Sequence, residues 1–113
     1  MDYETARQFL IGQGSATAQT PDAFLTRLKQ GKPPVPGQVT SLLLALKMLY
    51  GSLDKTPSLS RELVYPLYRL AIEGREAYEQ GVRQGVEWPP ILDEDIERIG
   101  RAVGSIFAGE WLD

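Results

Sequence analysis

The chain contains no cysteine and no histidine. Without cysteine there can be no disulfide, no thiolate metal site and no thiol nucleophile. Without histidine, the commonest general base and the commonest transition-metal ligand are both missing. Serine triads of the usual kind, zinc hydrolases and imidazole pH switches are therefore excluded. Any catalysis would have to use carboxylates, lysine, arginine, tyrosine or serine.

Long apolar runs are also lacking. The longest, LLLAL extended to Tyr50, already contains Lys47, and it is far shorter than the ~20 residues that span a bilayer. The N-terminus, MDYETARQFL, is acidic from its second residue and has no basic segment before an apolar run, unlike a signal peptide. We therefore expect a cytoplasmic protein with no membrane partner.

Lysine is absent beyond Lys55, and the charge is unevenly spread. Residues 1–57 contain six Lys or Arg and four Asp or Glu, a net charge of +2. Residues 58–113 contain six Arg and eleven Asp or Glu, a net charge of −5. Because affinity for nucleic acid depends largely on clustered cations, this balance predicts that nucleic acid is not the partner.

The remaining composition is that of an ordinary folded domain. The chain has 113 residues, of which 42% are hydrophobic and 24% are charged, which suits one domain over residues 1–113 with a single modest core. Apolar residues recur at three- and four-residue intervals, and nothing reads as a strand. We predict an all-α, single-domain bundle of four or five helices that binds no cofactor.

Start and stop signals divide this pattern into helices. Asp2 can cap a first helix, and the Thr-Pro-Asp sequence at 20–22 predicts the start of a second. Asp93 can cap a last helix over about 94–108.

Two longer helices are expected between these ends. One over about 38–53 has leucine on most of its circumference, which is typical of a helix that is central in the bundle or faces a partner. The other, over about 58–84, opens at Thr56-Pro57 and contains Pro66. We expect Pro66 to kink this helix because proline removes one backbone hydrogen bond.

The loop GKPPVPGQVTS, at 31–41, raises the question of a nucleotide site. A phosphate loop of the Walker type needs GxxxxGK[ST] after a strand. Here the prolines at 33, 34 and 36 remove three N–H donors, and no Gly-Lys pair stands directly before Thr40. The segment therefore indicates a stiff spacer and a helix start.

Paired glutamates are the remaining catalytic candidates. Glu73 and Glu76 are three residues apart on one predicted helix, and Glu94 and Glu97 repeat this spacing on the last one. On neighbouring helices the four could bind Mg²⁺ through oxygen. This loosely resembles the all-α pyrophosphatases that hydrolyse nucleoside triphosphates with magnesium, although their doubled glutamate and closing aspartate are absent. The alternative is a solvated face of ion pairs.

Two tryptophans are candidates for partner binding. Trp88 stands before Pro89 and Pro90 on a connection, and Trp111 lies near the C-terminus. Each is either folded over the bundle or offered to a partner, and burial is the commoner state of a large aromatic side chain.

Three segments, GKPPVPGQVTSLLLALK, GVEWPPILDEDIERI and SIFAGEW, together resemble a small family of cyanobacterial proteins of about this length that carries the label "dethiobiotin synthetase". That label implies an ATP-dependent ligase, an α/β protein with a phosphate loop after a strand. The helical pattern and the loop at 31–41 predict neither feature, so the resemblance assigns no functional residue.

The sequence thus predicts a non-enzymatic module for protein–protein interaction or regulation. Its partner would be another protein or a second copy of itself in a homodimer. The alternative is the magnesium-dependent hydrolase built on the paired glutamates.

Overall fold

The computed structural model describes residues 1–112, which contain helices, turns and loops but no β-strand. The helices in chain order are α1 (Tyr3–Gln13), α2 (Phe24–Lys29), α3 (Gln38–Leu53), α4 (Arg61–Tyr68), a π-helical turn (Arg69–Glu73), α5 (Gly74–Arg83) and α6 (Leu92–Ala108). The segments α4, π-helical turn and α5 follow one another without interruption, and we call residues 61–83 the rod. Counting the rod once, five helices form the all-α bundle that the sequence predicted.

The core is one cluster to which all five helices contribute. Residues with almost no exposed surface include Leu10 of α1, Phe24 of α2, Leu46 of α3, Leu67 of the rod and Ile99 of α6. Burial of such side chains is the main favourable term in folding. The core is therefore common to the whole bundle.

Helix α3 occupies the range predicted for the central helix. It packs against α1 on one side and α6 on the other, and Leu42, Leu46 and Leu49 are fully buried between them. Its broad apolar arc is not completely covered, because Leu44 is 61% exposed and Met48 37% exposed. No helix among residues 1–112 is long and apolar enough to cross a membrane.

The rod differs from the predicted long helix in its start and in its middle. It begins at Arg61 rather than at residue 58. Residues 57–60 are not helical, and Ser60 is extended. Pro66 lies inside α4, and the π-helical turn begins three residues later. A proline and a π-turn both depart from α-helical hydrogen bonding and are recognised causes of helix bending.

Two other helix starts also differ by a few residues, and a third agrees with the prediction. The Thr-Pro-Asp sequence at 20–22 forms a turn in which Ala23 N–H donates to Thr20 O, and α2 begins only at Phe24. Helix α6 begins at Leu92, before the predicted cap Asp93, because Leu92 is buried and its N–H donates to Pro89 O. The cap at Asp2 is confirmed, since Thr5 N–H donates to Asp2 Oδ1 over 2.8 Å.

The segment at 31–41 is held to α1 and to the turn before α2 by hydrogen bonds of Gln38. Gln38, which is 8% exposed, accepts a hydrogen bond from Val35 N–H through Oε1 and donates through Nε2 to Gln13 Oε1 and Asp22 O. Gln13 Oε1 also accepts from Phe24 N–H at the start of α2. This buried node joins α1, α2 and α3, and it confirms the loop as a spacer that leads into a helix.

Candidate partner surface

The four glutamates predicted as metal ligands lie on the rod and on α6, as expected, but three of them are in ion pairs. Glu73 Oε1 lies 2.6 Å from Lys29 Nζ, and its Oε2 lies 3.0 Å from Arg69 Nε. Arg98 pairs with Glu94 at 3.7 Å, and Arg101 pairs with Glu97 at 2.9 Å. These contacts match the alternative of a face of ion pairs.

Two of the four glutamates share a groove. Glu76 and Glu97 line a groove between the rod and α6, together with the cations Arg75 and Arg101. Within residues 1–112 there is no group of three or more acidic side chains arranged to hold a metal ion.

Glu73 has the most constrained carboxylate of the four. The hydrogen bond from Lys29, and then that from Arg69, lowers the pKa of Glu73 below its ordinary value because both favour the ionised form. Lys29 belongs to α2 and Arg69 to the rod, so this carboxylate joins two elements. Its geometry is that of a structural ion pair.

Trp88 is folded onto the rod. Its indole Nε1–H donates to Tyr78 O over 3.1 Å, and its ring stacks on Tyr78 with centroids 5.8 Å apart. A methyl group at Gly81 would overlap the indole, so the absence of a side chain there makes room for Trp88. Pro89 beside it is half-buried and Pro90 is exposed.

Trp111 is placed differently, because it remains 43% exposed. Its ring makes an edge-to-face contact with Tyr50 of α3, with centroids 5.2 Å apart. The next residue fixes the C-terminal segment to α6, since Leu112 N–H donates to the buried Ser105 Oγ over 2.8 Å. The segment therefore folds back across α3 and α6 and keeps the indole at the surface.

A groove between α3 and α6 ends at this folded-back segment. We call it the α3–α6 groove; its volume is about 360 Å³. Its lining residues are Leu43, Lys47, Arg98, Arg101, Ala102, Trp111 and Leu112. The exposed Leu44 and Met48 follow the lining residues Leu43 and Lys47 on the same helix.

The groove is lined by both apolar and cationic side chains. Lys47, Arg98 and Arg101 are its charged lining residues, and no described carboxylate lines it. Arg98 and Arg101 also form half-exposed ion pairs with carboxylates of α6 itself, so Lys47 is the lining cation without an ion pair within residues 1–112. Such a surface suits an amphipathic segment that carries acidic side chains.

The sequence prediction named Trp111 as a partner-binding candidate but did not name the other residues that line the groove. Lys47 was visible as the one charge in the apolar run of α3, and Arg98 and Arg101 as cations three residues apart on α6. Nothing in the sequence pattern indicated that Leu112 lines the groove, because its position depends on the hydrogen bond to Ser105 and on close contact with Gly104.

Comparisons of this chain with protein-family models, with curated proteins and with solved structures found no match.

Proposed function

We propose that this protein is a non-enzymatic, cytoplasmic interaction module whose α3–α6 groove binds an amphipathic, acidic segment of another protein. The observation that carries the proposal is the exposed apolar surface of α3 beside a groove lined by three cations. Exposed apolar area that is contiguous and rimmed by charge is typical of protein interaction sites.

The walls of the groove favour a helical ligand. They belong to helices of 16 and 17 residues, of which positions within 43–47 and 98–102 line the groove, and an amphipathic helix can lay its apolar side between two such walls. Trp111, partly exposed at one end, supplies an aromatic side chain of the kind enriched among residues that dominate binding energy. Acidic side chains of the ligand would face Lys47, Arg98 and Arg101.

The magnesium-dependent hydrolase remains a prediction from the sequence. Three of its four glutamates are engaged by lysine or arginine, and residues 1–112 supply no cluster of three acidic ligands. The interaction module is therefore the better supported proposal.

The test compares three proteins as affinity baits in a native lysate: the wild type, the double variant Leu44→Glu/Lys47→Glu, and the control Val82→Glu. Val82 is 51% exposed and lies outside the groove. We expect the wild type and Val82→Glu to retain the same protein and the double variant to lose it. The retained protein is then purified and titrated against each bait.

In that titration, we expect the double variant to bind at least about tenfold more weakly, because it adds two like charges to an acidic ligand's site. The difference should shrink between about 50 mM and about 500 mM NaCl, since salt screens exposed charges. Retention of the same proteins by all three baits, or of none by the wild type, would contradict the proposal.

A further inference from the structure

A second exposed apolar surface lies on the rod. Tyr65, Tyr68 and Ile72 are 59%, 44% and 46% exposed, and their spacing of three and four residues places them on one side of the helix. The side chains of Leu63, Leu67 and Leu70 are buried on the opposite side. The tyrosine rings stack on each other with centroids 6.4 Å apart.

The line continues beyond Ile72 into α5. Glu76 and Glu79 follow at further intervals of four and three residues, and both are exposed. Toward the N-terminus, the line continues to the exposed Arg61.

We define the outer stripe by the residues on this line. They are Arg61, Tyr65, Tyr68, Ile72, Glu76 and Glu79. A cation stands at its N-terminal end, two carboxylates stand at its C-terminal end, and large apolar side chains lie between them. The stripe is therefore complementary in charge to a second copy of itself that runs in the opposite direction.

We propose that the outer stripe is a self-association surface, occupied by the same stripe of a second copy in antiparallel orientation. A two-fold axis between Tyr68 and Ile72 brings Tyr68 of each copy to Ile72 of the other, as an isologous interface requires. The same axis sets Arg61 opposite Glu79. A parallel arrangement would instead set like charges opposite each other at both ends.

Neighbouring charges do not oppose this arrangement. Arg69 lies over the ring of Tyr65, 5.6 Å from its centroid, and is paired with Glu73. Glu62 pairs with Arg7, and Arg75 pairs with Asp93 and, at 3.5 Å, with Glu79. The unlike charges of the stripe ends thus decide the orientation.

A groove beside Ile72 offers a place for a tyrosine ring of the second copy. It lies between the rod and α6, has a volume of about 770 Å³, and is lined in part by Ala71, Ile72, Ile96 and Gly100. Antiparallel pairing brings Tyr68 of the second copy to its edge. Tyrosine is enriched at interfaces because one end of the ring is apolar and the other can stay hydrated.

The size of the stripe sets the expected strength. A stable interface buries about 800 Å² on each partner, and a single helix pair with one inserted ring lies at or below that size. We therefore expect a dimer with a Kd in the micromolar range, about 10–200 µM. This inference does not depend on the proposed function.

The test is sedimentation equilibrium of the full chain from about 1 to about 500 µM at low salt, a range that brackets this Kd. We expect a monomer–dimer equilibrium for the wild type, for Val82→Glu and for Lys47→Glu, which changes only the α3–α6 groove. Tyr68→Ser should weaken the dimer at least about tenfold, as loss of a central aromatic anchor does.

Charge reversal tests the orientation. Arg61→Glu alone and Glu79→Arg alone should each weaken self-association, because each sets like charges opposite one another at both ends of the antiparallel pair. Mixing these two variants should restore the dimer to within about threefold of the wild type, since unlike charges then meet at both ends. Circular dichroism and thermal melting verify that each variant is folded.

Two results would overturn the inference. One is a wild type that stays monomeric at the highest concentration, in which case the stripe does not bind a second copy. The other is a mixture that associates no better than the separate variants, which contradicts antiparallel pairing.

Discussion

At the scale of single residues, a few side-chain contacts join elements that are distant in sequence. Lys29 and Glu73 are 44 positions apart, and their pair ties α2 to the π-helical turn of the rod. Their charges were visible in the sequence, but their pairing was not, because helical periodicity describes only neighbours within an element. Glu73 consequently looked like a metal ligand, although it is ion-paired with Lys29.

Replacement of Glu73 by glutamine tests this ion pair. At pH 7 we expect Glu73→Gln to lower the free energy of unfolding by ~1 kcal/mol, the upper range for a partly exposed pair. The pKa of Glu73 is lowered in the folded protein, so its stabilising effect is complete above the ordinary value of 4.5 and is lost as the pH falls through the lowered pKa.

Chemical denaturation of both proteins across acidic and neutral pH measures the effect. The difference between wild type and Glu73→Gln should be constant near neutrality and disappear in acid. Glu87→Gln is the matched control, since Glu87 is exposed and forms no ion pair within residues 1–112. An equal loss in both variants would show that the carboxylate of Glu73 has no special role.

At the scale of helices, local pattern predicted which elements exist better than where they begin. The periodicity of α3 predicted its range of 38–53, because many apolar positions define its buried side. Start signals alone were less reliable: Thr-Pro-Asp at 20–22 forms a turn instead, and α2 is begun by a distant amide, Gln13, that accepts from Phe24 N–H. Partners supplied by tertiary structure override local capping preferences.

Close contact between helices provides a second test at this scale. Gly14 ends α1 against Pro66 of α4, and a Cβ at Gly14 would lie 2.6 Å from Pro66 O. Because that neighbour is backbone and cannot rotate away, Gly14→Ala should destabilise the protein by about 1–3 kcal/mol. Thermal denaturation followed by circular dichroism measures the loss.

Gly12→Ala is the matched control for this contact. Gly12 lies two residues earlier in α1, and apart from its chain neighbours and the backbone of its own helix no atom lies within 4 Å of where its Cβ would be. There the substitution should stabilise the helix by up to about 1 kcal/mol, because alanine has the higher helix propensity. Equal effects at the two positions would mean that α1 and α4 do not approach as closely as the structure describes.

At the scale of the whole molecule, one side of α3 is buried in the core and the other side is exposed. Sequence pattern identified a helix with apolar residues on most of its circumference, and it left open whether neighbours or a partner would cover them. The fold answers this in part, since α1 and α6 bury Leu46 while Leu44, two positions earlier, remains 61% exposed. Which leucines stay exposed depends on how the helices are arranged, and a single helix pattern does not contain that information.

Alanine substitutions at these two leucines separate stability from binding. Leu46→Ala leaves a cavity in the core and should lower the free energy of unfolding by about 2–5 kcal/mol. Leu44→Ala should change it by less than about 0.5 kcal/mol, because leucine and alanine have similar helix propensity and little buried area is lost. Urea denaturation of both variants measures these changes.

For binding, the order of the two variants should be reversed: Leu44→Ala should raise the Kd and Leu46→Ala should leave it almost unchanged. Below its unfolding transition, Leu46→Ala keeps the α3–α6 groove and should bind the captured partner with nearly the wild-type Kd. Leu44→Ala is as stable as the wild type but lacks part of the apolar surface, so its Kd should rise by about three- to tenfold. If Leu44→Ala instead unfolded as easily as Leu46→Ala, both leucines would belong to the core, and the exposed side of α3 could not be a partner surface.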